Sequence, residues 1–347
     1  MKKYTIGVVG MGGMGFRFLN SFIESDRWEV GYVCDLNEAR LEKARDLIPT
    51  AMFTKNLDDL LNDPAVDAVA ICTLADIRPK LLTEALNAKK HVIAEKPLAD
   101  SIAGEWELLK TIEASGLMVA VDIFNRNAWY HDEIQAFIAS GEIGELAIVS
   151  VDHQTPGLMP TEGHSPEGPP FHDCGMHYVD VARWYAGSEY KEWHAQGMRM
   201  WDWEDPWWLS AHGQFENGVV FNITQGFVYG QMAKDRTVRC GIEVIGTKGL
   251  VRMKHDMKTV TIEYHGVNTT KIKQGDYGSK KTDVMCERFA EALDTGDDSR
   301  LPSARDSVIA SSVSQEMLDF AKAHAAPAIG TRDEMESILE HRKQLKA

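Results

Sequence analysis

The chain has 347 residues, about twice the usual length of a domain, so two domains are expected. Its formal net charge of −15 disfavours nucleic-acid and membrane-surface roles, because an acidic surface repels phosphate groups and anionic lipids. The 44% hydrophobic and 26% charged residues are typical of a globular protein with a core. The five cysteines are scattered without a CxxC pair, which disfavours both a disulfide framework and a cysteine zinc site.

The N-terminal run MKKYTIGVVGMGGMG resembles a signal peptide only superficially. Four glycines between positions 10 and 15 interrupt the apolar run, and no small-residue cleavage site follows. No apolar stretch is long enough to cross a membrane. These features predict a cytoplasmic protein.

Residues 1–124 alternate short β-branched runs with amphipathic stretches. This alternation is typical of βαβ units and predicts a doubly wound parallel sheet of the Rossmann type. The predicted strands are Tyr4–Val9, Glu29–Cys34, Val66–Cys72, His91–Ala94 and Leu117–Val121, and the predicted helices are Asn37–Leu47, Arg78–Asn87 and Ile102–Ser115.

Residues 125–347 form the second predicted domain, of the α+β class. Strands dominate it, and Asn217-Gly218 predicts a hairpin between two of them. The final fifteen residues are charged and are expected to fray. The predicted strands are Leu146–His153, Glu192–Trp201, Leu209–Phe215, Val219–Phe227, Arg239–Ile245 and Val260–Tyr264, and the predicted helices are Ala128–Ser140, Asp283–Leu293 and Ala304–His324.

A GxGxxG pattern follows the first predicted strand and opens a helix. In this context the first glycine permits a tight turn, the second admits a pyrophosphate close to the backbone, and the third packs the helix on the strand. The free N–H groups of the helix N-terminus favour phosphate binding. The predicted cofactor-binding residues of this turn are Gly10, Met11, Gly12, Gly13, Met14 and Gly15.

Asp35 ends the second predicted strand, at the spacing of a ribose-binding acidic residue. Its carboxylate would repel the 2′-phosphate of NADP, and Leu36-Asn37-Glu38 supply no arginine, since Arg40 lies a turn away. The sequence therefore favours NAD over NADP. The alternative is a glycine-rich turn in which Asp35 is only a helix cap.

Four signals in order make the chain resemble the Gfo/Idh/MocA oxidoreductases, the family of glucose–fructose oxidoreductase and inositol dehydrogenase. The resemblance covers essentially the whole chain. Its markers are the glycine pattern, the run Lys89–Pro97 with Ala94-Glu95-Lys96-Pro97, the stretch from Asn125-Arg126 to Gly141-Glu142-Ile143-Gly144, and Asp173–Asp180.

The resemblance implies a Rossmann domain followed by a domain with a large open, mainly antiparallel sheet, and a substrate bound between them. It also implies NAD as cofactor and a homodimer or homotetramer formed through that sheet. The implied catalytic residues are Lys96, Asp173 and His177. Thr73, Glu95 and Lys96 join the cofactor site, and Lys96, Asn125, Arg126, His172, Asp173 and His177 are the implied substrate-binding residues.

The residue types suit alcohol oxidation, in which a hydride leaves carbon and a proton leaves oxygen. Our hypothesis is that His177 takes the hydroxyl proton, Lys96 bonds the same oxygen and Asp173 orients a hydroxyl or the imidazole. Pro97 restricts the backbone of Lys96 and admits a cis bond. A surface role for Lys96, an N-cap role for Asp173 and a core role for His177 stay open.

A metal role is a weaker alternative, and the sequence predicts no metal. The spacing of the ligand-type residues matches no standard zinc pattern, and the family chemistry needs no metal. Those residues are His153, His172, Asp173, Cys174 and His177.

The chain departs from the family pattern in ways that bear on the substrate. Arg78 takes the place of a family histidine, and the proline expected after Asn125-Arg126 is replaced near Trp129. Six tryptophans lie between Trp184 and Trp208 and favour core or subunit contacts over sugar stacking. The Pro156–Pro170 loop is either a lid or an ordinary connection.

The predicted function is NAD-dependent hydride transfer between nicotinamide and a hydroxyl-bearing carbon of a sugar, cyclitol or sugar derivative. One alternative is a relative that retains NAD and oxidises transiently in order to cleave or eliminate glycosides. A non-enzymatic nucleotide sensor is a further alternative, which the presence of Lys96, Asp173 and His177 disfavours.

Overall fold

The structure, a computed structural model, describes residues 2–156, 169–278 and 280–346. It divides into a first unit, Met1–Ala128 with Lys280–Ile309, and a second unit, Trp129–Ser279 with Ala310–Ala347. The division predicted from the sequence falls between residues 124 and 125 and assigns everything after it to the second domain. The structure instead returns Lys280–Ile309 to the first unit.

The first unit contains a six-stranded parallel sheet of strand order β3-β2-β1-β4-β5-β6. Its inner strands are buried on both faces, as expected for a parallel sheet covered by helices. The predicted Rossmann-type sheet is confirmed. The strands are β1 Tyr4–Val9, β2 Trp28–Cys34, β3 Met52–Thr54, β4 Ala68–Ile71, β5 His91–Ala94 and β6 Val119–Val121.

The helices of the first unit connect these strands, and one comes from the distant segment. They are α1 Gly13–Glu24, α2 Glu38–Leu47, α3 Leu57–Leu61, α4 Arg78–Asn87, α5 Ile102–Ser115 and α8 Thr282–Thr295. Phe289 of α8 belongs to the same buried cluster as Phe22 and Trp28. The Trp28 indole also donates to the carbonyl of Cys286 at 3.0 Å. This packing explains why the distant segment belongs to the first unit.

The second unit contains an eight-stranded sheet of order β14-β13-β12-β11-β7-β10-β9-β8. Only β7 and β10 pair in parallel among these described strands, so the predicted mainly antiparallel sheet is confirmed. The strands are β7 Leu146–Gln154, β8 Tyr190–Met198, β9 Trp208–Phe215, β10 Val220–Gly226, β11 Arg239–Gly246, β12 Leu250–His255, β13 Thr259–His265 and β14 Thr270–Asp276.

The hairpin predicted at Asn217-Gly218 joins β9 and β10. Gly218 has a φ of +89°, which favours glycine, and its N–H donates to the carbonyl of Phe215 at 3.0 Å. Strands β12 and β14 were not predicted. β12 has only six residues, two of them lysine or arginine, and β14 is almost entirely exposed, so neither carries a strong apolar pattern.

Helices α6 Trp129–Ala139, α7 Met176–Ala186 and α10 Arg332–Lys346 belong to the second unit, and α9 Ala304–Ala323 crosses the division at Ile309. The structure places α10 where fraying was expected. Met335 of α10 is fully buried and packs with Trp207 and Phe227, which explains the order of this charged segment. None of the helices in the described part of the chain has the length and apolar character needed to span a bilayer.

Candidate active site

The glycine turn between β1 and α1 has the shape that the sequence predicts. Gly10 has a φ of +87°, and a Cβ at Gly15 would lie 1.9 Å from the Gly10 carbonyl oxygen. A Cβ at Gly12 or Gly13 would meet nothing within 4 Å, so open space lies above the turn. The first turn of α1 contains no acidic residue, and no side chain caps its N-terminus. These features fit a bound pyrophosphate.

Asp35 binds the glycine turn as well as its own loop. Its carboxylate accepts the Met11 N–H at 2.6 Å and the Asn37 N–H at 2.7 Å. The guanidinium of Arg40 lies 3.5 Å from the same carboxylate. The expectation that no arginine lies near Asp35 is therefore wrong, because the first turn of α2 brings Arg40 back to it. An arginine this close to Asp35 lessens the preference for NAD over NADP that the carboxylate alone would give.

Lys96 follows β5 and is only 6% exposed, so it is not a solvated surface lysine. Its peptide bond to Pro97 is cis, as the sequence analysis allowed. Two buried side chains hold the loop around it. Arg78 donates to the carbonyls of Thr73 and Pro97, and Glu105 accepts the Leu98 N–H at 2.8 Å. Arg78, which replaces a family histidine, thus links the loops that follow β4 and β5.

A pair of buried carboxyl groups adjoins Lys96. Glu95 accepts the Lys96 N–H at 3.1 Å, and its side chain is hydrogen-bonded to Asp122, which follows β6. Both residues are more than nine-tenths buried. Burial, followed by the charge of Glu95, raises the pKa of Asp122 well above its usual range, while Lys280 and Lys96 act in the opposite direction. Asp122 was not predicted from the sequence, because only the strand order brings it beside Glu95.

Three other predicted residues also lie in the first unit. Thr73 follows β4, and its buried hydroxyl has no hydrogen-bond partner among the described residues. Asn125 and Arg126 lie in a single 3₁₀ turn, Phe124–Asn127, where Asn125 is buried. The guanidinium of Arg126 forms two contacts with Asp306, at 3.1 and 3.3 Å. This bidentate ion pair gives Arg126 a structural role, and its contact with substrate stays a prediction.

The remaining predicted residues lie in the second unit, on one continuous helical segment. Phe171–Gly175 forms a π-helical turn that leads directly into α7. Asp173 therefore lies inside the helical segment and is not its N-cap. The ring of Phe171 would lie 2.8 Å from a Cβ at Gly175, which explains the glycine there. π-Helical turns of this kind occur frequently at functional sites.

His177, on the first turn of α7, is 3% exposed, whereas Asp173 is half-buried. Both residues lie on helical backbone, so side chains four residues apart project in similar directions. His172 lies in the same π-helical turn, and its Nε2 is 2.8 Å from the Ser311 hydroxyl. Burial alone fits a core histidine as well as a catalytic one, so the role of His177 stays a prediction.

The metal and tryptophan alternatives have separate outcomes. Among the described residues, one group of three or more ligand-type side chains comes together, His153 with Cys240 and His255. It includes only His153 of the five residues considered from the sequence.

Trp207 lies in a buried cluster with Trp201 and Trp203 packed against it, as the core interpretation expects. Residues 157–168 of the Pro156–Pro170 loop lie outside the described residues.

Comparison with known proteins identifies the family. A model described as "Oxidoreductase family, NAD-binding Rossmann fold" matches residues 4–123, and one described as "GFO/IDH/MocA C-terminal domain" matches residues 131–252. The myo-inositol 2-dehydrogenase of Thermotoga maritima is 24% identical over 291 residues, covering 83% of this chain and 84% of the relative.

Solved structures show the same fold. An oxidoreductase from Agrobacterium radiobacter in complex with NAD⁺, L-tartaric acid and magnesium has a TM-score of 0.79 at 17% identity, covering 92% of this chain and 96% of that one. The 3-ketoreductase KijD10 of Actinomadura kijaniata, in complex with NADP, has a TM-score of 0.73 at 19% identity, covering 95% and 99%. Matched along both of its parts, the chain belongs to the Gfo/Idh/MocA oxidoreductase family and is a dehydrogenase or reductase acting on CH–OH groups.

Proposed function

We propose that the chain catalyses NAD-dependent oxidation, or the reverse reduction, at a secondary hydroxyl of an uncharged polyol such as a sugar or cyclitol. The single observation that carries this proposal is the burial of Lys96 at the carboxyl end of β5, in a loop that is hydrogen-bonded by Arg78 and Glu105. Ligands of doubly wound sheets bind at that end of the strands. The similarity to inositol dehydrogenases supports a polyol substrate.

The glycine turn suits a dinucleotide. The open space above Gly12 and Gly13 and the uncapped N-terminus of α1 would hold the pyrophosphate through backbone N–H groups. NAD, when bound, supplies the acceptor for the hydride. We favour NAD over NADP because Asp35 is an acidic group at the end of β2, where it would bind a ribose hydroxyl.

Lys96 acts on the oxygen of the reacting hydroxyl. A charged ammonium in a site shielded from water stabilises negative charge developing on that oxygen more strongly than it would in bulk solvent. Arg78 and Glu105 hold the loop that carries Lys96, so the lysine loses little conformational freedom when its ammonium group binds the reacting hydroxyl. A flexible exposed lysine would not offer this preorganisation.

His177 and Asp173 of the second unit are our candidates for proton transfer and for orientation of the substrate. An imidazole has an unperturbed pKa near 6.5, which suits a general base at neutral pH. His177 would take the hydroxyl proton at one ring nitrogen, and the half-buried Asp173 would accept a hydrogen bond from a neighbouring hydroxyl.

We further propose that subunits pair through the eight-stranded sheet. Light scattering of the purified protein tests this pairing, and a monomeric mass would contradict it.

The test follows the absorbance of reduced nicotinamide while sugars, inositols and glycosides are screened with NAD and with NADP. We expect reduction of NAD by at least one free polyol. Lys96→Met should lower turnover by about 10²–10⁴-fold with the affinity for NAD retained, whereas Lys96→Arg keeps the charge and should lose less. Glycoside cleavage without net NADH would replace this proposal with transient oxidation. Undiminished turnover in Lys96→Met would overturn the role of Lys96.

A further inference from the structure

A row of potential metal ligands crosses three neighbouring strands of the second unit. Strands β7, β11 and β12 lie side by side, and their inward-facing residues line up in register. Two successive rows are entirely apolar, and the third contains only imidazole and thiol side chains. The rows are Val149–Val244–Val251, Val151–Ile242–Met253 and His153–Cys240–His255.

The third row is compact enough to hold one ion. One ligand atom from each of His153, Cys240 and His255 lies within 4.8 Å of the other two. A zinc ion bound at about 2.0–2.3 Å spaces its ligand atoms by roughly 3.5 Å, so small side-chain rotations would close the row around it. His153 and Cys240 are each more than nine-tenths buried, and His255 is half-buried.

Aromatic rings hold both imidazoles in place. Tyr178 stacks on His153 with 4.4 Å between ring centroids, and Tyr277 stacks on His255 at the same distance. Such stacking reduces the side-chain freedom that ion binding would otherwise remove. The thiol of Cys240 donates only a weak hydrogen bond, to the Gln154 carbonyl at 3.8 Å.

An independent observation concerns unsatisfied polar atoms. The buried Nδ1 of His153 has no hydrogen-bond partner among the described residues, and neither has the Nε2 of Gln225. Gln225, which is 1% exposed, is the residue of β10 in register with His153. An unpaired buried polar atom costs about 1–3 kcal/mol, so polar residues in such a row need a reason beyond packing. Valine or isoleucine would continue the pattern of the two preceding rows.

We propose that His153, Cys240 and His255 bind one divalent transition-metal ion, with Zn²⁺ as the expected occupant. The set of two imidazoles and one thiol selects zinc-like ions and disfavours Mg²⁺ and Ca²⁺, which require oxygen ligands. Binding replaces the S–H bond of Cys240 by a metal–thiolate bond and releases the proton to solvent. Three protein ligands leave a fourth position for water or another ligand. The site does not depend on the proposed polyol oxidation.

Metal content and spectroscopy test the site directly. Full-length protein stripped with a chelator is incubated with Zn²⁺, dialysed and analysed, and a second sample is titrated with Co²⁺. We expect one ion per chain, with a thiolate-to-cobalt charge-transfer band. X-ray absorption of the zinc form should show one sulfur at about 2.3 Å and two nitrogens at about 2.0 Å. A shell of oxygen atoms, or no stoichiometric uptake, would overturn the proposal without any variant.

Variants localise the ion. Cys240→Ser should abolish the charge-transfer band, and His255→Gln, at a half-buried position, should weaken Co²⁺ binding at least tenfold. The matched control is Cys34→Ser, since Cys34 and Cys240 are both free thiols at 6% exposure but Cys34 lies in the first unit. Its variant should keep the band. Full binding by both Cys240→Ser and His255→Gln would place the ion elsewhere and refute the assignment.

Discussion

The two units differ in the mixture of titratable groups that they bury. The first unit buries carboxyl groups, Glu95, Glu105 and Asp122, around Lys96. The second buries several imidazoles, of which His131 and His153 are at most 5% exposed, together with the carboxyl group of Asp180. Burial raises the pKa of Asp122, but it lowers the pKa of His131 to about 3. Desolvation disfavours the charged form of both groups. Because the charged form of a carboxyl group is the deprotonated one and that of an imidazole is the protonated one, burial raises the first pKa and lowers the second.

This difference follows from the two sheets. In the parallel sheet the polar residues follow the strand ends, as Glu95 follows β5 and Asp122 follows β6. The interior of those strands is fully apolar. In the antiparallel sheet His153 lies within a strand, on its buried face. The parallel sheet therefore gathers chemical groups at one edge, whereas the second sheet carries some of them in its core.

The largest expected effect is on turnover. It concerns His177, a buried imidazole of the second unit that is proposed to take part in the reaction. His177→Gln removes the group proposed to take the hydroxyl proton, so turnover should fall by about 10²–10⁴-fold. NAD affinity, measured by fluorescence titration, should be retained, because the glycine turn lies in the first unit. Unchanged turnover would make His177 a core histidine and leave the acid–base chemistry to other residues.

The sequence predicts the first unit more accurately than the second. The bounds of β1, β5, α4 and α5 agree with the predicted ones. α5 has clear end signals, since Ser101 caps it by accepting the Gly104 N–H and Gly116 ends it at a φ of +64°. The glycine turn and Lys96 could be predicted because each lies within a contiguous motif.

What the sequence does not predict depends on which strands become neighbours. Asp122 is 27 residues from Glu95, and Cys240 is 87 residues from His153, so no local spacing relates them. The row of His153, Cys240 and His255 requires both the order β12-β11-β7 and its register. The return of α8 to the first unit likewise depends on packing against α1 and β2.

The second prediction uses the acid response of the second unit. Burial first, and then the neighbouring His255, lowers the pKa of His131 to about 3, against about 6.5 in the unfolded chain. Its contribution to stability is complete above pH about 6.5 and is lost as the pH falls toward 3, by at most about 1.4 kcal/mol per pH unit. We call the decrease in the free energy of unfolding with falling pH the acid slope. Urea unfolding at several pH values should give a smaller acid slope for His131→Gln than for the wild type.

The control for this slope is His194→Gln, because His194 is an exposed histidine of the same unit. Its variant should keep the wild-type acid slope even if its absolute stability changes. If His131→Gln and the wild type had the same acid slope, protonation of His131 would not contribute to the loss of stability of the second unit in acid.

The third prediction concerns Asp122 of the first unit, whose effect on stability changes with pH in the opposite direction to that of His131. The pKa of Asp122 is raised in the folded state, so its favourable contribution is complete below the unfolded pKa of about 3.9 and is lost as the pH rises. Asp122→Asn removes this loss, and its free energy of unfolding relative to the wild type should therefore increase as the pH rises. Asp46→Asn, at an exposed carboxylate of α2, should show no such trend in the same urea titration.

The smallest expected effect concerns cofactor choice. Asp35→Asn removes the charge that repels a 2′-phosphate and frees Arg40, whose guanidinium lies 3.5 Å from the carboxylate, to contact that phosphate. The ratio of kcat/KM for NAD to that for NADP should fall about tenfold, equivalent to about 1.4 kcal/mol. Adding Arg40→Gln should reverse most of the gain with NADP.

The ratio is the informative quantity because Asp35 also accepts the Met11 N–H of the glycine turn. Any loosening of that turn by Asp35→Asn weakens both cofactors alike and cancels in the ratio, whereas a change in charge does not. An unchanged ratio accompanied by a higher KM for both cofactors would show that Asp35 serves the turn rather than the ribose. The acidic group at the end of β2 would then be structural, and cofactor choice would depend on other residues of the first unit.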